Sequence, residues 1–216
     1  MKKLIVYDLD GTLVDTLQDI TEAANHMLST MQAPLLTPDQ VRRFVGKGIQ
    51  QLVSDCLGID DPGRIAQGLT LYRSYYSRHL ADHSALYPGA RELLEHFRTR
   101  QQAVITNKPN PYSRDLLAAL GVAGYFFEII GGDSPYPRKP DPTSVQSVMR
   151  QAGAAPAETL FVGDSPIDVE TGRRAGVFTV TVTQGLADAQ ELAAASPDAM
   201  VSDLKELLDL VKRNVW

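Results

Sequence analysis

Asp8 and Asp10 stand at alternate positions directly after the apolar run Leu4-Ile5-Val6-Tyr7, and Gly11 and Thr12 follow them. Two carboxylates this close repel, and leaving both charged raises the pKa of one. A divalent cation relieves the repulsion, and hard oxygen ligands suit magnesium. An aspartate can also attack phosphorus and carry the phosphoryl group as an aspartyl phosphate. An Asp-rich turn after a strand has the same local composition, so the rest of the chain has to discriminate.

Three further stretches carry residues of matching chemistry. In Val104-Ile105-Thr106-Asn107-Lys108-Pro109, a hydroxyl at a strand end can donate to a phosphate oxygen, as can backbone N–H groups in the turn. In Arg138-Lys139-Pro140-Asp141-Pro142, two prolines restrict the backbone around Asp141. A lysine held there can neutralise a phosphoryl oxyanion and an aspartate together. In Phe161-Val162-Gly163-Asp164-Ser165-Pro166-Ile167-Asp168, a buried run again ends in glycine and aspartate. Asp168 follows one helical turn later, where an acid also favours a helix N-terminus.

These residues need elements to hold them. Leu4–Tyr7 reads as a short, fully buried strand. Asp and Gly stop it near Asp8. In open α/β sheets, ligands bind beyond the carboxyl ends of the strands. After Asp15 the periodicity turns helical: Leu17, Ile20, Ala24, Met27, Leu28 and Met31 share a stripe that Pro34 ends. Thr37 looks like an N-cap, with Pro38 at the first helical position and Gln40 closing a capping box. Gly46-Lys47-Gly48 interrupts this helix; Ile49, Leu52, Val53 and Cys56 resume it, and Ile65 to Leu80 form another. No strand is expected before Pro88. An excursion this long exceeds an ordinary connection. Residues 16–85 therefore read as an inserted helical cap, and residues 1–15 and 86–216 as the catalytic core.

From Pro88 onward, helices alternate with apolar strands. The strands are expected at Ala103–Thr106, Phe126–Ile130, Thr159–Val162, Thr179–Val182 and Ala199–Val201. The helices begin near Gly89, Asn110, Pro142, Ile167 and Leu204, and Gly121 is expected to cap the second of these. This alternation predicts an α/β fold with a doubly wound, Rossmann-like parallel sheet.

The string DLDGTLVD, the Thr106 loop, KPDP and GDSPID, in this order and each at an inferred strand or loop end, resemble the four motifs of the haloacid dehalogenase superfamily. The resemblance implies a magnesium-dependent phosphatase. It makes Asp8 the nucleophile and Asp10 the acid and base. Asp8, Asp164 and the backbone carbonyl of Asp10 would bind magnesium, and Asp168 would orient the metal shell. Thr106 and Lys139 would hold the transferring oxygens. Gly11 would let the backbone approach substrate, and Asn107 would assist. The helix-VGxG-helix pattern resembles bacterial phosphoglycolate phosphatases, for which Arg43 and Lys47 would grasp a second anionic group. Other small phosphate esters, a sugar phosphomutase, a phosphonate hydrolase using Lys47 as a Schiff base, and a non-enzymatic phosphoacceptor regulator remain as alternatives.

Composition narrows the partners. With 216 residues and a net charge of -5, the chain has no run of Lys and Arg that suggests nucleic acid. Leu4–Tyr7 is too short for a signal core or membrane span. One cysteine, Cys56, cannot form an internal disulfide and lies in an apolar helical pattern. It reads as a buried structural thiol of a cytoplasmic protein. The expected partner is a small phosphorylated metabolite, with neither nucleic acid nor membrane. The oligomeric state is left open.

Overall fold

Short apolar runs bounded by turn residues build the central sheet. The computed structural model describes residues 2–213. Met1 and residues 214–216, assigned to the core from sequence, lie outside the described residues. The six strands are β1 (Leu4–Tyr7), β4 (Gln101–Ile105), β5 (Glu128–Ile130), β6 (Thr159–Gly163), β7 (Phe178–Val182) and β8 (Ala199–Val201). They pair in the order β5-β4-β1-β6-β7-β8, and every pairing is parallel. The chain builds outward from β1 in one direction through β4 and β5. It then returns to build through β6, β7 and β8. The reversal at β1 opens a crevice at the carboxyl ends of the strands, where ligands bind in such sheets.

Register decides what meets in that crevice. Tyr7 lies opposite Val104 on one side and Val162 on the other. Asp8, Thr106 and Asp164 therefore leave three adjacent strands at nearly the same level. Alternate side chains of β1 take opposite faces. Ile5 and Tyr7 pack into one apolar cluster with α5 (Ala90–His96), α6 (Asn110–Ala119) and α10 (Leu204–Lys212). Leu4 and Val6 pack with α7 (Thr143–Ala152) and Ala175 at the end of α8 (Pro166–Ala175).

Between Asp15 and Ala85 run α1 (Leu17–Thr30), α2 (Pro38–Arg42), α3 (Ile49–Leu57) and α4 (Pro62–His79). Their buried stripes join the same cluster as Ile5 and Tyr7. The Thr37–Gln40 capping box is present, and Cys56 is buried. Among the described residues, no helix is long and apolar enough to cross a membrane.

Four local expectations need correction. A strand does precede Pro88: β2 (Val14–Asp15) pairs antiparallel with β3 (Ala85–Leu86). Two-residue strands are too short to show periodicity, and this pair forms because the chain leaves and re-enters the core side by side. The strand expected at Phe126–Ile130 starts only at Glu128, because Ala123–Tyr125 first closes a tight helical turn. The first helix ends at Thr30, ahead of Pro34, where Gln32 turns the chain at φ 56°. An unexpected helix, α9 (Ala189–Ala195), buries only Leu192, so its alanine-rich sequence carries no apolar stripe.

Candidate active site

Asp8 is the first residue past β1 and is 7% exposed. Lys139 Nζ lies 2.7 Å from its Oδ1 and 2.6 Å from Asp168 Oδ1. Asp164 leaves β6 one strand away. Its Oδ1 accepts from the Thr12 hydroxyl at 2.7 Å and its Oδ2 from the Leu186 N–H at 2.7 Å. Asp168 sits in the first turn of α8, where Ser165 and Asp168 form a capping box. Asp168 Oδ2 accepts from the backbone N–H groups of Asp164 and Ser165 and from the Ser165 hydroxyl. The capping and the site readings of Asp168 thus hold together.

Oxygens of Asp8, Asp164 and Asp168 lie within 4.8 Å of one another, all buried. Three carboxylates against one lysine leave surplus negative charge in a low-dielectric place. Burial pushes the Asp8 carboxyl up to about 7, against the pull of Lys139 and with a further push from Asp168. Burial, then Asp168 and Asp8, hold Asp164 well above the usual carboxylate range. Burial alone would lower Lys139, but Asp168 and Asp8 outweigh it and raise it. A buried, oxygen-only cluster of this charge fits a hard divalent cation. Gly11 takes φ +85°, and a Cβ there would collide with the Asp164 carboxylate.

The Asp10 carboxylate points elsewhere. Its Oδ1 accepts from the Thr16 hydroxyl and from Lys108 Nζ, both at 2.8 Å. Thr106 is buried, and its Oγ1 accepts from the Lys108 N–H at 3.2 Å. The Asn107 side chain is fully engaged. Nδ2 donates to the carbonyls of Gly46 and Lys139, and Oδ1 accepts from the Lys139 N–H at 2.9 Å. It holds the Lys139 backbone and ties it to the loop between α2 and α3.

Two openings reach these groups. A wide groove of about 1020 Å³ brings Arg42, Arg43 and Lys47 to the same depression as Asp8, Asp10 and Asp164. Arg43 and Lys47 are exposed, whereas Arg42 is half-buried. The Arg42 Nε has no hydrogen-bond partner among the described residues. A small chamber of about 50 Å³ lies on the Thr106 side of Asp8 and Asp10, under α1, α3 and α4.

Every core residue singled out from sequence thus lies at this crevice. Sequence reasoning overlooked Lys108, Thr12 and Arg42. Lys108 had a signal, a lysine two positions past Thr106 in the same loop. Thr12 and Arg42 had none beyond residue type.

A family model described as haloacid dehalogenase-like hydrolase matches residues 5–182. A phosphoglycolate phosphatase of Pseudomonas putida is 37% identical over 96% of this chain and 79% of the relative. One from Chromobacterium violaceum is also 37% identical, over 97% of this chain and 96% of the relative. A crystal structure described as a predicted phosphoglycolate phosphatase from Haemophilus somnus 129pt superposes with a TM-score of 0.92. It is 30% identical and covers 97% of this chain and 98% of its own.

Proposed function

The chain belongs to the haloacid dehalogenase-like hydrolases, a phosphoric monoester hydrolase by its relatives, and we propose that it hydrolyses 2-phosphoglycolate through an aspartyl phosphate on Asp8. The observation that carries the mechanism is Lys139 bridging Asp8 and Asp168 at the floor of a buried acidic cluster.

Asp8 attacks phosphorus in line, and the alcohol leaves. Thr106 and Lys139 hold the transferring oxygens, Lys139 also orienting Asp8 and pulling it toward its ionised form. Asp10, held by Thr16 and Lys108, protonates the leaving oxygen and then takes a proton from the water that cleaves the aspartyl phosphate. Asp8, Asp164 and the Asp10 backbone carbonyl would hold magnesium, which would supply positive charge that offsets repulsion between substrate and carboxylates. Both Asp168 oxygens already accept hydrogen bonds, which supports an outer role, fixing Lys139 and the Asp164 turn.

Residues 16–85 act as a cap over this core. Support comes from the chamber, whose wall combines Asp8 and Thr106 of the core with Ile49, Tyr72 and Tyr76. The phosphoglycolate reading rests on the relatives' names and on basic residues at the groove, Arg42, Arg43 and Lys47, which suit the approach of an anionic substrate.

The test is phosphate release from 2-phosphoglycolate, sugar phosphates, nucleotides and phosphonoacetaldehyde, with magnesium and with chelator. A strong preference for phosphoglycolate that chelation abolishes is the expected result. Broad, weak turnover would leave a phosphatase of other small esters. Magnesium-dependent turnover by Asp8→Asn would overturn the mechanism.

A further inference from the structure

We propose that Tyr76 and Lys108 form the pocket that receives the carboxylate of the leaving group, in the chamber beside Asp10 and not in the basic groove. The inference rests on the phosphoglycolate reading and refines it.

The chamber beside Asp10 is lined by Ile49, Leu52, Tyr72, Tyr76 and Tyr112 together with Lys108. Tyr76 is 1% exposed, and its hydroxyl has no hydrogen-bond partner among the described residues. A buried hydroxyl in that state is unusual and costly, because it has left water without gaining a replacement bond. Its ring is fixed from two sides, edge-on to Tyr112 at 5.3 Å and tilted against Tyr72 at 5.4 Å. A fixed hydroxyl loses little freedom when a ligand arrives.

Lys108 Nζ lies 4.7 Å from the centre of the Tyr76 ring. It gives one N–H to Asp10 Oδ1, and an ammonium carries three. The chamber therefore offers a positive charge with spare N–H donors and an unpaired O–H, in a wall that is apolar apart from Asp8, Asp10, Thr106 and Asn107. That set suits an anionic acceptor and offers a neutral polar end much less.

Size points the same way. A chamber of about 50 Å³ holds about four water-sized atoms at ~10–15 Å³ each. The two-carbon acid of phosphoglycolate is near that limit, and a sugar ring is well beyond it. The groove, at about 1020 Å³, imposes no such limit. Position permits this, since Asp10, which the leaving oxygen must meet, lines the chamber as well as the groove.

The test compares 2-phosphoglycolate with 2-hydroxyethyl phosphate, which matches it in length but ends in a neutral hydroxyl. Steady-state kinetics on both esters with magnesium give a ratio of kcat/KM values for the wild-type chain, Tyr76→Phe and Arg42→Met. Thermal melting checks that each variant folds. Tyr76→Phe is expected to lower the ratio in favour of the acid about ten-fold, as loss of a bond to a charged group does. A merely structural Tyr76 would slow both esters alike and leave the ratio unmoved. An unchanged ratio in Tyr76→Phe overturns the inference and leaves the phosphoglycolate reading standing. A ratio that collapses only in Arg42→Met does the same and puts the carboxylate in the groove. A wild-type chain that turns over both esters equally, or neither, overturns the reading and the inference together.

Discussion

Lys139 Nζ stands between Asp8 and Asp168, 2.7 Å from one carboxylate and 2.6 Å from the other, with all three side chains at most 10% exposed. Each carboxylate raises the lysine, so it stays charged despite burial. Lys139→Met keeps the bulk and removes the charge. It is expected to lower kcat by at least ~10²-fold, the size of effect seen when one preorganised oxyanion donor is lost. It should also lower the melting temperature, because two buried carboxylates lose their counter-charge. Phosphate release and thermal melting on the same preparation check both.

Asp10 has a separate partner. Lys108 and Thr16 both donate to its Oδ1, which fixes the orientation of this carboxylate, the proposed acid and base. Lys108→Met is expected to cut kcat about 10- to 100-fold for every ester hydrolysed, the neutral one included, since general acid and base catalysis contributes about 10²–10⁴. A variant whose loss appears on 2-phosphoglycolate alone would remove Lys108 from the positioning of Asp10.

What the sequence discloses here follows from how local the signal is. Aspartates follow β1 and β6 at the level of the Thr106 turn, so apolar runs and breakers put Asp8, Thr106 and Asp164 at strand ends, and the resemblance of the four motifs joined them as a set. The β2–β3 ribbon was not, since Val14 and Ala85 are separated by the whole helical excursion and neither strand is long enough to show a period. Arg43 and Lys47 drew notice by type, yet both are exposed, while Arg42, the last residue of α2, is half-buried. Residue type does not reveal which side of a five-residue helix faces a groove. Asn107 was legible as a site residue, but its role as a clamp depends on Gly46 and Lys139 arriving from distant parts of the chain.

Asp8 and Asp164 make the metal-free protein sensitive to pH. Burial raises Asp8 from 3.8 to about 7 and holds Asp164 above its ordinary range. A folded-state pKa above the unfolded one means that the unfolded chain binds fewer protons in that interval. The stability that Asp8 contributes is complete below about 3.8 and is lost as pH rises through about 7, and the raised Asp164 carboxyl acts in the same direction. With chelator present, melting temperature should therefore fall between about pH 5.5 and about pH 7.5, and Asp8→Asn should flatten the slope. Added magnesium competes with those protons, so it should raise the melting temperature more at the higher pH. Equal stabilisation at both would argue against these carboxylates as its ligands.

Asn107 reaches from the core to the loop between α2 and α3, where its Nδ2 donates to the Gly46 carbonyl at 2.8 Å. Its other two bonds hold the Lys139 backbone. The same amide thus ties the Lys139 backbone to the loop between α2 and α3. Gly46 takes φ +105°, a conformation that glycine adopts without strain, so the loop can present that carbonyl at little cost. Asn107→Ala removes three hydrogen bonds, two of them buried, and is expected to lower stability by about 1–3 kcal/mol. Asn107→Asp keeps the acceptor for the Lys139 N–H but sets a carboxylate against the Gly46 and Lys139 carbonyls. If the clamp seats the helical segment, Asn107→Asp should raise KM for 2-phosphoglycolate and increase protease cleavage between α2 and α3. If Asn107 only positions Lys139, kcat should fall while the cleavage pattern stays that of the wild-type chain. Steady-state kinetics combined with limited proteolysis separates the two.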